Sequence, residues 1–441
     1  MSTVRTVSVI GTGYLGATHA ACMADLGFYV IGVDTDPATV AALSDGRVPF
    51  FEPDLEPLVR KHVEHGRLRF TTDIAEAASA DVHFLCIGTP QRPDGLGADL
   101  SAVHGAVAAL APHLVRPCLV VGKSTVPVGT ATAVTAVLQI TAPAAGGVHV
   151  AWNPEFLREG RAVEDTLHPD RLVFGVTNEG DLDVLRAVYA EALAGGVPEV
   201  VTDLATAELV KAAANSFLAT KISFINAMAE VCDAAGADVL ALVEALAHDG
   251  RIGGQFLRPG LGFGGGCLPK DIRAFVARTA ELGAAPSTAF LREVDAINTR
   301  CRERAVELVV EELGGSVAGR RVTVLGASFK PGSDDVRDSP ALHVASALHR
   351  RGAAVTVHDP KAGNRAAQLT PQLHHAGTIV GACVDADLVL LATEWPQYVE
   401  LDPAHLAALV RGQRVVDTRH ALDAARWRKA GWRYRAPGRP H

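Results

Sequence analysis

Residues 7–16 read VSVIGTGYLG, a short apolar, β-branched run followed at once by a GxGxxG pattern. An Ala-rich helical stretch continues to about Leu26, and a second strand-like run at Tyr29–Val33 ends at Asp34. The order strand, GxGxxG, helix, strand, acid is typical of a dinucleotide-binding fold. A glycine-rich turn in an α/β domain without a ligand is the alternative.

Each residue of this pattern has a separate physical role. Gly11 permits the tight turn, Gly13 lets the backbone approach a pyrophosphate, and Gly16 lets the helix pack closely on the strand. The pyrophosphate would lie at the helix N-terminus. Asp34 would accept hydrogen bonds from the adenosine ribose and disfavour a 2′-phosphate, which predicts NAD as the cofactor and not NADP. The cofactor contacts predicted in this segment are Gly11, Gly13, Tyr14, Leu15, Gly16 and Asp34.

Composition limits the class of protein. A chain of 441 residues, 48% hydrophobic and 20% charged, is too long for one core and predicts a soluble enzyme of two or three domains. A net charge of −8 argues against non-specific binding of nucleic acid. Seven scattered cysteines without a Cys-x-x-Cys predict reduced thiols in the cytoplasm and no metal site. We find neither a long apolar run nor a signal peptide, so no membrane association is expected.

Polar residues follow three further strand-like runs, at Val82–Ile87, Leu119–Lys123 and Val148–Ala151. Ligands of open parallel sheets bind beyond the carboxyl ends of the strands, so these residues belong at one rim. They are Thr89, Thr125, Glu155 and Glu159. If Pro154 opens a helical turn, the two glutamates share a face and could polarise a water. A solvated helix face, and for Thr89 a cap or turn, are the open alternatives.

A long helix is predicted over residues 205–236, where apolar residues recur at helical spacing without an interrupting Gly or Pro. Some 30 residues would extend about 45 Å, enough to bridge domains or to pair with a second subunit. Lys211 and Asn215 are four apart and project from one face. A cation and an amide at this spacing could clamp an oxyanion, although a solvated polar face is the alternative.

Residues 260–271 read GLGFGGGCLPKD, in which five glycines favour neither helix nor strand. Such a stretch is useful where backbone must pass close to a ligand. Pro269 suits the first turn of a following helix, so Cys267 would lie near a helix start beside Lys270 and Asp271. Nearby positive charge and a helix N-terminus make a thiol nucleophilic. A flexible loop with an incidental cysteine is the alternative.

A second α/β unit follows a linker at Gly314–Gly319. Its strands are predicted at Arg321–Leu325, Ala354–His358, Asp387–Ala392 and Arg414–Val416, with a helix at Pro340–Arg350. Its first turn lacks GxGxxG, so a second dinucleotide is not expected. Lys330, Asp334, Asp335 and Arg337 crowd that turn and could hold a nucleotide diphosphate, or form a charged surface loop. Residues 426–428 are expected on an exposed helix face.

Six segments resemble the UDP-glucose/GDP-mannose dehydrogenases, a family of nucleotide-sugar 6-dehydrogenases. They are Gly11–Gly16, Lys123–Thr130, Asn153–Gly160, Ala207–Asn226, Gly262–Asp271 and Phe329–Pro340. The similarity is strongest to members that act on UDP-glucose. It implies oxidation of the sugar 6-hydroxyl through an aldehyde to a carboxylate, with two NAD+ and one water. It also implies an α/β fold of two Rossmann-like doubly wound domains joined by a long central helix and a helical dimerisation region.

The resemblance also implies residue roles. Cys267 matches the nucleophile that carries a thiohemiacetal and then a thioester, and Lys211 and Asn215 match the groups that stabilise oxyanions. Asp271 matches a carboxylate that positions water, and Glu155 and Thr125 match residues linked to thioester hydrolysis. The further cofactor contacts implied are Thr89, Thr125, Glu159, Lys270 and Arg337. The substrate contacts implied are Glu155, Phe156, Leu157, Arg158, Lys211, Asn215, Arg251 (across a dimer), Phe256, Leu257, Arg258, Pro259, Gly260, Gly264 and Lys330.

We therefore predict three domains and a homodimer or larger homo-oligomer formed through helix 205–236. The domains are 1–204 for NAD, 205–314 with the cysteine loop, and 315–441 for the UDP-sugar. The chain departs from the family at Thr39, Ala227 and Gly266, where Lys, Glu and Ser are commoner. The same chemistry on GDP-mannose or a UDP-N-acetylhexosamine stays open. A two-electron β-hydroxyacid dehydrogenase and a non-catalytic NAD sensor are the other classes considered.

Overall fold

The computed structural model describes residues 4–440, which form two compact units. The first unit runs to Ala214 and includes Ala277–Gly283; the second comprises Asn215–Val276 and the chain from Ala284 onward. Each unit contains one β-sheet. The contacts thus separate two units, and the division into domains 1–204, 205–314 and 315–441 stays a prediction.

The first unit is built on an eight-stranded sheet in the order β3-β2-β1-β4-β5-β6-β7-β8. Its strands are β1 Thr6–Ile10, β2 Tyr29–Val33, β3 Leu68–Thr71, β4 Val82–Leu85, β5 Cys118–Gly122, β6 Val148–Trp152, β7 Leu172–Gly175 and β8 Glu199–Thr202. The first six strands have the doubly wound order, and all neighbours pair in parallel except β6 with β7. Register places Thr6 beside Tyr29, so β1 and β2 end together at Ile10 and Val33. The glycine turn after β1 and the acid after β2 therefore lie at the same sheet edge.

Helices cover the faces of this sheet. They are α1 Tyr14–Asp25, α2 Pro37–Ser44, α3 Leu55–Glu64, α4 Ser101–Leu110, α5 Thr130–Thr141, α6 Ala162–Leu167, α7 Glu179–Val188 and α8 Ala190–Ala194. Short 3-10 helices occupy Ile74–Ser79, Ala111–His113 and Ala145–Gly147. β4 is buried at all four positions, and its residues are apolar except for His83.

Four α-helices, of which α9 is the longest, occupy the middle of the chain. The helix predicted at 205–236 is confirmed as α9 Leu204–Ala235, with 32 residues, or roughly 48 Å of helical rise. The others are α10 Val239–Ala247, α11 Leu268–Glu281 and α12 Phe290–Glu312, with a 3-10 helix at Ala285–Thr288. The boundary between the two units falls within α9, after Ala214. The long central helix thus joins the two sheet-containing units.

The second unit carries a six-stranded parallel sheet in the order β11-β10-β9-β12-β13-β14. Its strands are β9 Arg321–Leu325, β10 Ala354–His358, β11 His374–His375, β12 Leu388–Leu391, β13 Arg414–Asp417 and β14 Arg433–Arg435. Its helices are α13 Pro340–Arg350, α14 Gly363–Leu369, α15 Ile379–Cys383, α16 Pro396–Val399, α17 Pro403–Ala407 and α18 Ala424–Lys429. This is the doubly wound order a second time, which confirms the predicted fold class.

One local prediction for this unit is wrong. Residues 426–428 lie in α18 as predicted, but Trp427 is only 1% exposed. Its ring packs edge-on against Trp432 at 4.8 Å between centroids. Arg426 and Arg428 are exposed as predicted, whereas the indole of Trp427 is part of the core.

Within residues 4–440, none of the helices combines the length and the apolar character needed to cross a bilayer. In the same part of the chain, His, Cys, Asp and Glu side chains form no group of three or more suited to a metal ion.

Candidate active site

The turn after β1 has the geometry that a dinucleotide pyrophosphate requires. Gly11 has a φ of +86°, and a Cβ there would lie 2.9 Å from the carbonyl oxygen of Cys86. A Cβ on Gly16 would lie only 1.7 Å from the carbonyl oxygen of Gly11, so helix and strand pack too closely for a side chain. Gly13 instead faces open space and directly precedes α1. Backbone at the start of this helix can therefore approach a phosphate, and the residues present fit NAD.

Asp34 lies at the carboxyl end of β2, where the strand–glycine–helix–strand–acid order placed it. Its Oδ2 accepts hydrogen bonds from the backbone N–H of Thr12 at 2.7 Å and the Thr12 hydroxyl at 3.1 Å. Its Oδ1 accepts the backbone N–H of Asp36 at 3.1 Å. The carboxylate thus holds the glycine turn against the end of β2, and its contact with a ribose stays a prediction.

Glu52 is a buried carboxylate of this region that the sequence did not reveal. It accepts a hydrogen bond from the Tyr14 hydroxyl and from the backbone N–H groups of Gly160 at 2.6 Å and Ala162 at 2.7 Å. Burial, followed by the hydrogen bond to Glu52, raises the pKa of Tyr14, and the charge of Glu159 acts in the same direction. Glu52 therefore ties the glycine motif to the segment that carries Glu159.

The predicted rim residues of the first unit lie on irregular backbone after their strands. The Thr89 hydroxyl donates to the carbonyl oxygen of Thr125 at 2.7 Å, which joins the ends of β4 and β5. The segment Asn153–Arg158 is not helical, so the expected shared helical face of Glu155 and Glu159 is wrong. Pro154 here follows a strand end without opening a helix.

Glu155 has a charged partner that the sequence did not identify. Its Oε1 lies 3.1 Å from Lys211 Nζ on α9, and both side chains are largely buried. The other oxygen, Oε2, accepts the backbone N–H of Leu157 at 2.8 Å. Lys211 Nζ also lies 5.4 Å from the centroid of the Phe156 ring. Lys211 is therefore not on a solvated polar face, because it is buried against a carboxylate and an aromatic ring.

Two arginines flank this segment. The Arg171 guanidinium lies 3.8 Å from the centroid of the Phe156 ring, which is close enough for a cation–π interaction. Arg158 pairs with Asp165 through two hydrogen bonds of 2.8 and 2.6 Å, and its side chain is 46% exposed. Both pairs restrain the segment that carries Glu155 and Leu157, whose substrate contacts stay predictions.

The cysteine loop belongs to the second unit and leads directly into α11. Pro269 is the second residue of that helix, as predicted, and the carbonyl oxygen of Cys267 accepts the backbone N–H of Asp271 at 3.0 Å. Cys267 is exposed, whereas Cys118 is half-buried and the other five cysteines are buried. The thiol therefore lies accessible at a helix N-terminus, where positive backbone potential favours a thiolate.

Asp271 is the buried polar centre of this loop. Its Oδ2 accepts a hydrogen bond from Asn215 Nδ2 at 2.7 Å, and its Oδ1 accepts Lys270 Nζ at 2.6 Å. Asp271 and Asn215 are 4% and 6% exposed. The second unit thus brings together three predicted site residues, one from α9 and two from α11. On α9, Lys211 lies one turn before Asn215.

Packing leaves little room for a side chain at several glycines of this loop. Gly262 has a φ of +84°, and a Cβ there would lie 2.2 Å from Asn298 Oδ1. A Cβ on Gly264 would lie 2.4 Å from the carbonyl oxygen of Asp338. At Gly266 a side chain would overlap the guanidinium of Arg337, at 2.3 Å from its central carbon. Arg337 thus occupies the space that a serine side chain would need at position 266.

Asn298 on α12 holds the cysteine loop through hydrogen bonds to the backbone of Phe263. Its Oδ1 accepts the backbone N–H of Phe263 at 2.7 Å, and its Nδ2 donates to the Phe263 carbonyl oxygen at 3.0 Å. Arg302, one turn on, donates to that carbonyl at 3.1 Å and pairs with Asp338 at 2.8 Å. The sequence shows no signal for these residues except their helical spacing.

The segment before the loop contains the other predicted substrate contacts. Phe256 has a φ of +61° and is 39% exposed, an uncommon backbone conformation for an aromatic residue. Leu257 is 3% exposed, so its side chain belongs to the core and only its backbone can reach a ligand. The N–H of Gly260 donates to Asn226 Oδ1 at 2.7 Å. Pro259 is buried, and Arg258 is exposed.

Three basic residues predicted to contact ligands lie on exposed or half-buried surface of the second unit. Arg251 is 90% exposed in its side chain and pairs with Asp249 at 2.6 Å. Arg337 pairs with Asp335 at 2.7 Å. Lys330 Nζ lies 5.5 Å from the centroid of the neighbouring Phe329 ring. The roles of these residues, and of Lys270, stay predictions.

The doubly wound fold, the open glycine turn and the acid after β2 define a dinucleotide-binding protein whose site suits NAD. Comparison with protein families then identifies the group. Residues 5–193 match the NAD-binding domain of the UDP-glucose/GDP-mannose dehydrogenase family, 205–300 its central domain and 323–424 its UDP-binding domain. The chain belongs to this family and is a nucleotide-sugar dehydrogenase that uses NAD.

Individual relatives match over nearly their whole length. UDP-glucose 6-dehydrogenase of Rhizobium meliloti (strain 1021) is 40% identical over 437 residues, which cover 98% of this chain and 99% of that protein. The enzyme AglM of Haloferax volcanii, also a UDP-glucose 6-dehydrogenase, is 39% identical over 429 residues. The matched residues cover 95% of this chain and 98% of that protein. The structure of a UDP-glucose dehydrogenase from Pyrobaculum islandicum superposes with a TM-score of 0.91 at 39% identity, over 99% and 98% of the two chains.

Proposed function

We propose that this protein oxidises UDP-glucose to UDP-glucuronate with two NAD+ and one water, through covalent intermediates on Cys267. In this reaction the primary alcohol and water yield a carboxylate, two NADH and three protons. The observation that carries the proposal is the exposed thiol of Cys267 at the start of α11, on a loop that packing holds in place. The identity of the relatives supports UDP-glucose as the sugar nucleotide.

The thiol explains how one enzyme can remove four electrons from the sugar, whereas a simple alcohol dehydrogenase removes two. An aldehyde formed in the first oxidation would leave the site unless it were trapped. Addition of the Cys267 sulfur to the aldehyde carbon gives a thiohemiacetal, whose oxidation gives a thioester. NAD+ supplies the oxidising capacity, accepting one hydride in each round. Hydrolysis breaks the carbon–sulfur bond, releases the carboxylate and restores the thiol.

The polar groups have separate roles in this proposal. Lys211 and Asn215 stabilise the negative oxygen of the alkoxide and of the tetrahedral intermediates as hydrogen-bond donors. Asp271, which is held by Asn215 and Lys270, positions the water that attacks the thioester. Glu155 and Thr125 assist this hydrolysis. The ammonium–carboxylate pair of Lys211 and Glu155 supports Lys211 as a donor and not as the base.

The second α/β domain is proposed to hold the nucleotide. Its glycine turn lacks the dinucleotide pattern, and Lys330 at the carboxyl end of β9 offers a cation to a diphosphate. Residues 256–260 are proposed to contact the sugar, and Leu257 and Pro259 would do so mainly through their backbone atoms. Lys270, Arg337 and Glu159 are proposed to contact the cofactor.

We also infer a homodimer formed through α9. Phe217, Phe224 and Val231 are 66%, 48% and 55% exposed and recur every seven residues, so they form one apolar stripe. In a dimer, Arg251 would reach the partner's substrate. Replacing Phe224 with Glu should convert the dimer to monomers in sedimentation experiments; an unchanged dimer would place the interface elsewhere. We further propose a cytoplasmic location, because the seven cysteines are scattered in the sequence without the spacing of a disulfide framework.

One assay tests the function directly. NADH formed per mole of sugar nucleotide is measured with UDP-glucose, GDP-mannose and a UDP-N-acetylhexosamine. We expect two NADH per UDP-glucose and much slower turnover of the other two. One NADH per sugar would indicate a two-electron dehydrogenase. Binding of NAD without turnover of any sugar would indicate a sensor, and preference for another sugar would correct the substrate.

A further inference from the structure

Lys123 is a buried cation in the first unit that the proposed reaction does not use. It directly follows β5 and is 7% exposed. Its Nζ donates to Asn153 Oδ1 at 2.9 Å, to the Asn153 carbonyl oxygen at 3.5 Å and to the Tyr189 hydroxyl at 3.1 Å. All of these acceptors are uncharged, and the nearby carboxylate of Glu155 pairs with Lys211 instead.

A buried ammonium with uncharged partners is costly, because water solvates the charge better than three neutral oxygens do. A residue that breaks such a local rule is expected where the structure serves function and not stability alone. Methionine has a similar length and would fill the same space without this cost. The hydrogen bonds of Lys123 therefore need a purpose beyond packing.

The partners of Lys123 show what it holds. Asn153 follows β6, and its Oδ1 also accepts the Tyr189 hydroxyl at 2.6 Å, while its Nδ2 donates to the Val173 carbonyl oxygen at 3.0 Å. Lys123 and Asn153 thus connect the carboxyl ends of β5 and β6. Thr125 lies two residues after Lys123, and Glu155 lies two residues after Asn153. The backbone ladder already joins the two strands up to Gly122 and Asn153. The Lys123 ammonium adds a side-chain link just beyond it, where the two segments leave the sheet.

Electrostatics supports the same placement. Burial raises the pKa of the Cys86 thiol to about 12, with Lys123 acting to lower it and Glu155 acting to raise it. Cys86 directly follows β4. The charges of Lys123, after β5, and of Glu155, after β6, therefore both act on the end of β4. The Lys123 ammonium and the Glu155 carboxylate are thus close enough to share a neighbour.

We propose that Lys123 is a positioning residue for thioester hydrolysis, because it holds Thr125 and Glu155 in the geometry that the second half of the reaction needs. This inference rests on the proposed function, in which those two residues assist hydrolysis of the Cys267 thioester. The first hydride transfer depends on Lys211 and Asn215 on α9, whereas the hydrogen bonds of Lys123 go to Asn153 and Tyr189. Lys211 meets the segment that Lys123 positions through its pair with Glu155. Loss of Lys123 should therefore slow thioester hydrolysis more than the first hydride transfer.

The test compares wild type, Lys123→Met and Tyr189→Phe with UDP-glucose and NAD+. Stopped-flow absorbance gives the NADH burst and the steady rate, and mass spectrometry of acid-quenched enzyme measures the sugar adduct on Cys267. For Lys123→Met we expect a burst rate within about twofold of wild type and a steady rate lower by about tenfold or more, with accumulated acyl-enzyme. Tyr189→Phe removes one acceptor of the Lys123 ammonium. Its burst rate should also stay near that of wild type, and its steady rate should fall by about threefold.

A control separates positioning from general loss of stability. Leu110→Ala removes core volume on α4, in an apolar cluster that includes none of Lys123, Asn153 and Tyr189. It should lower the melting temperature without changing the ratio of burst to steady rate. Burst and steady rates that fall in proportion, or that both stay unchanged, would overturn the inference. If Lys123→Met does not fold, the ratio for Tyr189→Phe decides. A wild-type enzyme that forms only one NADH per sugar would instead overturn the proposed function.

Discussion

The substitution Gly264→Ala tests whether packing of the cysteine loop positions the nucleophile. A Cβ at this position would lie 2.4 Å from the carbonyl oxygen of Asp338 and 2.6 Å from Cδ of Pro340. Ordinary contact begins near 3.4 Å, so the backbone of one segment must move by about 1 Å (3.4 − 2.4). The obstacle is backbone and a proline ring, neither of which can rotate away.

The expected cost follows from the position of this glycine in the chain. Gly264 lies three residues before Cys267, so displacement of the loop moves the sulfur. A misplacement of 1 Å can cost about 100-fold in rate, which corresponds to about 2.7 kcal/mol in activation free energy. We expect kcat for NADH formation to fall by about that factor. The rate at which iodoacetamide alkylates Cys267 should also change, because the surroundings of the thiol change.

Gly377→Ala is the matched control. Gly377 also belongs to the second unit, and an added Cβ there meets nothing within 4 Å. This variant should keep wild-type kcat and alkylation rate. A Gly264→Ala enzyme with kcat within about twofold of wild type would refute the argument that close packing of this loop positions the thiol.

Three further predictions concern single side chains. Cys267→Ser should permit the first hydride transfer at best and release no acid; full UDP-glucuronate formation, measured by chromatography, would contradict the thioester. Lys211→Ala should lower kcat more than tenfold, since losing one oxyanion donor costs about 2.7–4 kcal/mol; an unchanged rate would remove Lys211 from the mechanism. Burial, and then the charge of Arg116, lowers the pKa of His83 to about 4 in the folded protein. As the pH falls, His83 is therefore protonated in the unfolded chain before it is protonated in the folded one. The unfolding free energy should therefore fall between about pH 6.5 and pH 4, by up to about 1.4 kcal/mol per unit. Urea titrations at several pH values should show a shallower fall for His83→Gln, and an equal fall would exclude His83 as a source.

The sequence by itself determined the elements whose signals are local. The run VSVIGTGYLG and the acid at position 34 specify β1, the turn, α1 and β2, because glycine conformation and apolar runs act within a few residues. The 32-residue helix α9 follows from uninterrupted helical spacing. The placement of Cys267 before α11 follows from Pro269 in the first turn.

Tertiary structure decided the features that depend on residues distant in the chain. Glu52 accepts hydrogen bonds from Gly160 and Ala162, more than 100 residues away, and no local pattern predicts such a partner. Lys211 has a carboxylate partner only because α9 passes the loop after β6.

The same holds for burial. The sequence around Trp427 did not distinguish a solvated face from a core face, because burial depends on which element packs against it. Loop glycines such as Gly264 look flexible in sequence, but they are required because the backbone near Asp338 leaves no room for a side chain. Local propensity thus set the elements, whereas long-range packing set the partners of the polar groups on which the proposed chemistry depends.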